Sequence, residues 1–199
     1  MKKLLHVGCG TLTKANTTPG FNTDAWQEVR FDIDPACAPD IIGTIVDMSG
    51  VADGSIDAVF SSHNIEHVYP HEAPRVVKEF FRVLADDGFA VVTCPDLQSV
   101  CEAVARDRLL EPLYQSPAGP IAPLDVLYGH RPSLAAGKHY MAHKCGFTYP
   151  VLANLFMAGG FKSVIGGRRP RAFDLWLLAC KAQKTEAELK ALAQQHLPS

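Results

Sequence analysis

The segment Leu4-Leu5-His6-Val7-Gly8-Cys9-Gly10 decides the fold, because it joins a short apolar run to a glycine turn. An apolar run of this length that stops at glycine is typical of a buried strand. A glycine turn directly after a strand lets a ligand approach the backbone closely, since no side chain stands in the way. Position 13 is Thr, so the third glycine of a dinucleotide fingerprint is missing. By itself, the segment fits a structural tight turn equally well.

Strand and helix patterns alternate along the chain after this segment. Apolar runs predict strands at residues 28–33, 55–61 and 89–94, and a strand or half-strand at residues 41–46. Residues 76–84 carry their apolar side chains on one helical face and predict a helix. This order predicts an α/β fold whose largely parallel sheet binds its ligand at the carboxyl ends of the strands.

A long segment rich in proline and aromatic residues, residues 111–149, follows these elements. It contains Tyr128, His130, Tyr140 and His143 among its side chains. A stretch of this length with little regular structure is usually an active-site cover or a disordered linker. Its aromatic content favours a packed lid over a solvated linker, and we call residues 111–149 the lid.

The C-terminal part returns to regular patterns. We predict a helix at residues 150–158 and strands at residues 161–165 and 173–180, joined by a basic turn at residues 167–171. Thr185 and Glu188 have the spacing of a capping box and predict a final helix. We therefore assign residues 1–182 to one domain and residues 183–199 to a helical tail.

Composition and charge exclude several classes of protein. The chain has 199 residues, of which 47% are hydrophobic and 20% are charged, which fits one globular domain. A formal net charge of −2 without a Lys/Arg cluster argues against nucleic acid as the partner. The apolar runs fall short of the roughly 18 residues of a membrane span, and the start lacks a signal-peptide cleavage pattern, so we expect a cytoplasmic protein. The six cysteines form no CxxC pair, which argues against a disulfide framework and a cysteine zinc site.

Carboxylates follow two consecutive predicted strands. Asp32 and Asp34 end the second strand, and Asp47 follows the third. A carboxylate in such a place can accept hydrogen bonds from both hydroxyls of a ribose, or from an adenine amino group. Each acid alone also fits a solvated strand end or a turn. Together, beside the glycine turn, they indicate a site for a nucleoside without phosphates.

The order of the motifs identifies a family. The segments concerned are residues 5–10, residues 29–32, Asp47-Met48, residues 55–67, residues 76–84, Asp86-Asp87-Gly88, residues 92–95, residues 143–148 and residues 158–161. They resemble the successive motifs of class I S-adenosylmethionine-dependent methyltransferases, in the type 11-like branch with small-molecule or uncharacterised substrates. The resemblance covers most of residues 4–180. It implies an enzyme that uses S-adenosylmethionine, with a doubly wound, mostly parallel, seven-stranded Rossmann-like sheet and a lid insertion after the fifth strand.

The resemblance also implies which residues contact the cofactor. The methionine part would contact Gly8, Cys9 and Gly10, and the ribose would contact Asp32 and Ile33. The adenine would contact Asp47 and the backbone of Met48. The other side of the cofactor would contact Ser61, Ser62 and His63. The family usually has a helix after its first glycine turn, whereas residues 11–24 here are polar and short. The contact to the methionine carboxylate is therefore unassigned.

Candidate catalytic residues follow from the chemistry of methyl transfer. The reaction is an in-line displacement, in which the protein aligns the nucleophile and excludes water. An oxygen or amine acceptor can also require a base, a role that suits histidine. We predict His63 as the first candidate and His143 as the second. Asn64, Tyr128, His130 and His143 are the predicted substrate-binding residues for a small-molecule acceptor.

Two other functions fit parts of the sequence. A domain of this fold could bind a nucleoside or a protein partner without catalysis, and an enclosed acceptor cavity would distinguish the enzyme from it. The run His63-Asn64-Ile65-Glu66-His67 matches the H-x-x-E-H pattern of zinc hydrolases. That pattern requires an established helix, whereas this run follows directly on a predicted strand. We therefore predict no metal site.

Overall fold

The apolar runs of the sequence pair into a central sheet in the computed structural model, which describes residues 1–198. The strands in chain order are β1 (Lys2–Val7), β2 (Trp26–Asp32), β3 (Ile41–Ile42), β4 (Ile56–Ser62), β5 (Leu84–Pro95), β6 (Tyr114–Ser116), β7 (Gly119–Ile121), β8 (Ser163–Arg169) and β9 (Asp174–Cys180). Strands β6 and β7 form a separate hairpin in the lid.

The strand order confirms the predicted doubly wound sheet. Within residues 1–198 the sheet has seven strands in the order β3-β2-β1-β4-β5-β9-β8. Strands β1 to β5 are parallel, and β9 is antiparallel to both of its neighbours. The order reverses between β1 and β4, because the chain first moves outward to β3 and then returns. Ligands of such sheets bind at the carboxyl ends of the strands beside this reversal.

Two helices cover one face of the sheet. The helices in chain order are α1 (Ala73–Val83), α2 (Leu97–Val104), α3 (Pro123–Tyr128), α4 (Arg131–Ala135), α5 (Tyr149–Ala158) and α6 (Glu186–His196). Short 3₁₀ helices lie at Lys14–Asn16, Pro35–Cys37, Ile65–His67 and His139–Met141. From α1 and α5, Phe80 and Phe156 are fully buried against the sheet in the larger of two apolar clusters. The predicted amphipathic helix at residues 76–84 is thus confirmed as α1, with its apolar face inward.

The opposite face is covered by a loop and by the C-terminal helix. Phe21, from the connection between β1 and β2, is fully buried in a second apolar cluster with Trp26. Leu189 and Leu192 of α6 pack against the same cluster. The ring of His196, at the end of α6, lies 4.2 Å from that of Phe21. The predicted tail helix therefore forms part of the core of the domain.

Several boundaries differ from the sequence prediction because strand pairing overrides local turn signals. Strand β5 begins at Leu84, so Asp86-Asp87-Gly88 lies within the strand and faces a register shift between Ile56 and Ala58. Strand β8 continues through the predicted basic turn to Arg169, whose guanidinium binds the Asp174 carboxylate on β9.

The predicted lid and the predicted third strand also differ from the structure. The lid contains regular structure, in the form of the hairpin and helices α3 and α4. Strand β3 is shorter than predicted, because only Ile41 and Ile42 pair with β2.

Side chains cap the N-termini of two helices, and the capping box at Thr185 and Glu188 confirms the sequence prediction. Asp96 precedes α2, and its carboxylate accepts a hydrogen bond from Gln98 N. Thr185 precedes α6 and forms the capping box with Glu188. Within residues 1–198, no helix combines the length and apolar character needed to cross a membrane.

The buried ring of His196 generates a prediction about stability. Burial, with a smaller effect of Lys2, lowers the pKa of His196 to about 4, whereas an unfolded histidine titrates near 6.5. The neutral ring is therefore fully stabilising above about pH 6.5, and this contribution is lost as the pH falls toward 4.

Replacing His196 should remove this pH dependence. In the His196→Asn variant, the asparagine amide can replace His196 Nδ1 as the partner of Thr18. The free energy of unfolding, measured with urea, should then depend less on pH. Between pH 6 and 4 its slope should fall by about 1.4 kcal/mol per pH unit, which is the contribution of His196. His139→Asn, at an exposed lid position, serves as the control. Equal slopes in the wild type and His196→Asn would contradict the assignment.

Candidate functional site

A cavity of about 720 Å³ lies at the carboxyl ends of β1, β2 and β4. We call it the large cavity. Its volume is within the range of small-molecule sites, and its position is the one that the fold favours for ligands.

The glycine turn after β1 forms one wall of the large cavity. Gly8 has a φ of +64°, and a Cβ there would lie 2.6 Å from the side chain of Asn64. Gly10 has a φ of +53°, and a Cβ there would meet only open space. Both positions favour glycine through backbone conformation, and Gly8 also requires it because Asn64 approaches so closely. Cys9 lies between them and also lines the cavity.

Asp32 ends β2 beside this turn and is only 8% exposed. Its carboxylate accepts hydrogen bonds from Gly10 N at 2.7 Å and from Asp34 N at 2.8 Å. A carboxylate offers about four acceptor positions, so these two bonds leave capacity for a ligand. Asp32 and the adjacent Ile33 both line the large cavity.

The guanidinium of Arg30 holds the loops around the cavity together. It donates to the carbonyl oxygens of Gly10 at 2.6 Å, Ala38 at 2.8 Å, Cys37 at 3.0 Å and Leu12 at 3.2 Å. These carbonyls belong to the loops that follow β1 and β2. One side chain therefore fixes both loops relative to each other.

The adenine side of the predicted site is only partly as expected. Asp47 lines the large cavity, and hydrogen bonding to Ser49 lowers the pKa of its exposed carboxyl group. Met48 is fully buried; its N–H donates to Glu79 at 2.7 Å, and its carbonyl accepts from Arg82 at 2.9 Å. The structure therefore does not bring the Met48 backbone to the cavity, and residues 43–46 line the wall instead.

A second wall comes from the segment after β4, beside the glycine turn. His63 and Asn64 line the large cavity, and Asn64 Nδ2 is buried without a hydrogen-bond partner. His63 has a φ of +48°, a strained conformation of the kind that clusters at functional sites. Its Nδ1 lies 3.4 Å from Glu66 Oε1. Burial lowers the pKa of His63, but the Glu66 carboxylate raises it more, so the pKa lies above its ordinary value.

Ser61 and Ser62 lie within β4, beneath this wall. Ser61 is fully buried, and its Oγ has no hydrogen-bond partner among the described residues. Ser62 pairs with Thr93 in the sheet. Of the three residues predicted to close this side, the structure therefore brings only His63 to the cavity.

The lid forms a further wall, and residue-level sequence reasoning did not identify its members. They share a position above the carboxyl ends of the strands: Ser133, Lys138, Tyr140, Met141 and Lys144. Tyr140 donates a hydrogen bond of 2.5 Å to Asp34, which raises the pKa of Tyr140 to about 12 and lowers that of Asp34. The aromatic content of the lid was the only signal in the sequence for this contact.

The predicted substrate residues do not share one cavity. Asn64 lines the large cavity, whereas Tyr128 and His143 line a second one of about 200 Å³, the small cavity. His130 instead contacts Ser133 Oγ at 2.8 Å. Burial lowers the pKa of His143 despite the nearby Glu66 charge. The reason for the separation is that the segment after β4 and the lid meet between the two cavities.

Comparisons with known proteins agree with this geometry. Residues 5–92 match a family described as "Methyltransferase domain". No curated protein matches the sequence.

Solved structures share the fold at low sequence identity. A SAM-dependent methyltransferase from Methanosarcina mazei has a TM-score of 0.58 and 16% identity, over 92% of this chain and 93% of that chain. A possible histamine N-methyltransferase from Thermotoga maritima has a TM-score of 0.57 and 14% identity, over 92% and 83%. The 1,6-didemethyltoxoflavin-N1-methyltransferase of Burkholderia thailandensis, with bound 1,6-didemethyltoxoflavin and S-adenosylhomocysteine, has a TM-score of 0.52 and 14% identity, over 91% and 71%.

The family match spans β1 through most of β5, which are the strands whose ends form the large cavity. The sheet order is the one that the methyltransferase resemblance predicts. Residues 5–92 therefore match a methyltransferase domain, and the chain shares its fold with S-adenosylmethionine-dependent methyltransferases.

Proposed function

We propose that this protein is a class I S-adenosylmethionine-dependent methyltransferase, which binds S-adenosylmethionine in the large cavity and methylates a small-molecule acceptor. The observation that carries the proposal is that the ends of three neighbouring strands line one cavity. Gly8, Gly10 and Asp32 follow or end β1 and β2, and His63 and Asn64 follow β4.

The residues present fit the cofactor. Gly10 faces open space, Asp32 keeps free acceptor positions, and Asn64 Nδ2 is a buried donor without a partner. A buried polar atom of this kind calls for a partner that a ligand can supply. Gly8 to Gly10 would hold the methionine part, Asp32 the ribose, and Asp47 the adenine. When bound, the cofactor supplies an activated methyl group on a sulfonium.

His63 is the residue best placed to act as a base toward the acceptor. It lines the large cavity from the end of β4, and its Nδ1 lies 3.4 Å from the Glu66 carboxylate. The nearby carboxylate orients the ring and favours its protonated form after it has taken a proton. His143, the second candidate from the sequence, lines the small cavity instead and is therefore less well placed than His63.

A small-molecule acceptor is supported by the net charge and by the position of the lid. The net charge of −2 argues against a nucleic-acid backbone as the acceptor. Lid residues narrow the large cavity, which suits a compact acceptor better than a long polymer. One structural neighbour is bound to the small molecule 1,6-didemethyltoxoflavin, which supports a small-molecule acceptor.

We expect the protein to act in the cytoplasm.

The proposal predicts cofactor binding and methyl transfer. Calorimetry should detect binding of both S-adenosylmethionine and S-adenosylhomocysteine to the purified protein. Incubation with methyl-labelled S-adenosylmethionine and a panel of hydroxyl- and amine-bearing metabolites should then label at least one acceptor. Failure of both cofactors to bind at about millimolar concentration would overturn the proposal.

Removing the Asp32 carboxylate should weaken cofactor binding. In Asp32→Ala we expect a loss of about 1.5–3 kcal/mol, or roughly tenfold to more than a hundredfold in Kd, because hydrogen bonds to a charged group disappear. Titration calorimetry with S-adenosylhomocysteine measures the change. Asp24→Ala, which removes an exposed carboxylate from the loop before β2, is the matched control and should bind normally. Normal affinity in a folded Asp32→Ala protein would rule out the ribose contact.

Shortening the lid should separate cofactor binding from turnover. In a variant with residues 115–138 replaced by a short Gly-Ser linker, affinity for S-adenosylhomocysteine should stay within about tenfold, roughly 1.4 kcal/mol. Methylation of any acceptor identified for the wild type should disappear, because the deletion opens the acceptor side to water. Circular dichroism shows whether the variant is folded. Unchanged turnover in a folded variant would mean that the lid has no role in catalysis.

A further inference from the structure

A buried carboxylate without a hydrogen-bond partner lies between the two cavities. Glu66 is 0% exposed, and neither of its carboxylate oxygens has a partner among the described residues. The nearby His63 Nδ1, at 3.4 Å, is too distant for a good hydrogen bond. Burying an ionised carboxylate is strongly unfavourable unless a charge or a metal ion compensates it. A protonated His63 can compensate part of this charge, and a bound cation would satisfy both carboxylate oxygens.

Two histidines lie beside this carboxylate, and a hydrogen bond at Nδ1 fixes the tautomer of each ring. His67 Nδ1 lies 3.1 Å from the carbonyl oxygen of Ala142, and His143 Nδ1 lies 2.6 Å from that of Val126. A carbonyl oxygen only accepts hydrogen bonds, so each Nδ1 carries the proton and each neutral ring keeps a free lone pair on Nε2. Metal-binding histidines typically have this arrangement, with the second nitrogen donating to a carbonyl or a carboxylate.

The three side chains converge on one point. One ligand atom each from Glu66, His67 and His143 all lie within 4.8 Å of one another. The rings of His67 and His143 are 4.8 Å apart, edge to face. Small side-chain rotations would bring all three ligand atoms to the distance of about 2.0–2.2 Å that one Zn²⁺ ion requires.

The backbone holds the cluster in place. Glu66 and His67 belong to the 3₁₀ helix Ile65–His67, and the Glu66 carbonyl accepts from Lys144 N at 2.8 Å and Cys145 N at 3.2 Å. These bonds fix the end of the lid, and with it His143, against the segment after β4. The cluster is therefore formed by two chain segments, which are joined by the two backbone hydrogen bonds to the Glu66 carbonyl.

We propose that Glu66, His67 and His143 bind a divalent transition-metal ion of the zinc type. Imidazole nitrogens with one carboxylate suit Zn²⁺ and its neighbours in the first transition row, whereas Mg²⁺ and Ca²⁺ prefer oxygen ligands alone. The proposal replaces the sequence-based expectation of no metal. It also differs from the H-x-x-E-H hydrolase pattern, because the second histidine ligand comes from the lid rather than from His63.

The position of the cluster suggests a role in acceptor binding. His67 lines the large cavity, Glu66 and His143 line the small cavity, and Lys144 lines both. Three protein ligands leave a position of a tetrahedral ion for water or an acceptor oxygen, whose pKa the ion would lower. This role rests on the proposed methyl transfer, whereas the metal site itself does not.

Direct metal binding tests the site without any acceptor. Untagged protein is freed of metal by chelation and dialysis, then titrated with Zn²⁺ by calorimetry and with Co²⁺ by visible absorbance. We expect one ion per chain, a Kd of about micromolar or lower, and Co²⁺ bands typical of nitrogen and oxygen ligands. S-adenosylhomocysteine binding is measured on the same preparation, so that loss of the metal site and loss of the cofactor site are distinguished.

Two variants and one control assign the ligands. Glu66→Gln and His143→Gln should each weaken Zn²⁺ binding by about 100-fold or more, because a ligand is lost. His139→Gln, at an exposed histidine of the same lid, should bind as the wild type does. If Glu66→Gln does not fold, His143→Gln decides alone.

Three results would overturn the proposal. The first is no Zn²⁺ or Co²⁺ binding at about 1 mM by wild-type protein that still binds S-adenosylhomocysteine. The second is unchanged Zn²⁺ affinity in the folded variants. The third is Mg²⁺ binding at least as tight as that of Zn²⁺. The first result would indicate that a protonated histidine compensates Glu66.

Discussion

The hydrogen bonds of the Arg30 guanidinium are the interaction on which the cofactor cavity depends. The connection between β1 and β2, described over all of residues 8–25, contains the 3₁₀ helix Lys14–Asn16 but no α-helix. Carbonyl groups in a loop need other partners when a helix does not supply them. Arg30 supplies four such bonds, to the loops after β1 and after β2. Two residues later on the same strand, Asp32 accepts from Gly10 N. Strand β2 thus fixes Gly10 through both its carbonyl and its N–H group.

The missing helix also determines how the second face of the sheet is covered. Phe21 fills part of that face from the loop, and α6 returns from the end of the chain to pack beside it. Gly20 N donates to the Gln195 carbonyl at 3.1 Å, and Thr18 Oγ1 contacts His196 Nδ1 at 3.2 Å. The loop before β2 and helix α6 therefore stabilise each other on this face of the sheet.

Two of the contacts between the lid and the rest of the domain lie at different cavities. Tyr140 binds Asp34 beside the large cavity, where the ribose contact is proposed. The backbone of Lys144 and Cys145 binds the Glu66 carbonyl between the large and small cavities. One segment therefore contacts both the proposed cofactor site and the surroundings of Glu66. The lid is also where polar side chains from distant parts of the sequence meet.

Local patterns in the sequence determined the strands, the glycine turn, the acid at the end of β2 and the caps at Asp96 and Thr185. Each of these depends on neighbouring residues, through side-chain periodicity, backbone conformation or a bond over two or three positions. The tertiary structure alone decided which polar groups are free to act. Met48 was predicted to contact adenine, but its N–H group already donates to Glu79 on α1. His143 was predicted beside the acceptor. The backbone hydrogen bonds from Lys144 and Cys145 to the Glu66 carbonyl instead place it in the small cavity, near the buried Glu66 carboxylate. The partner of a buried polar group depends on contacts between segments far apart in the chain, and periodicity carries no information about those contacts.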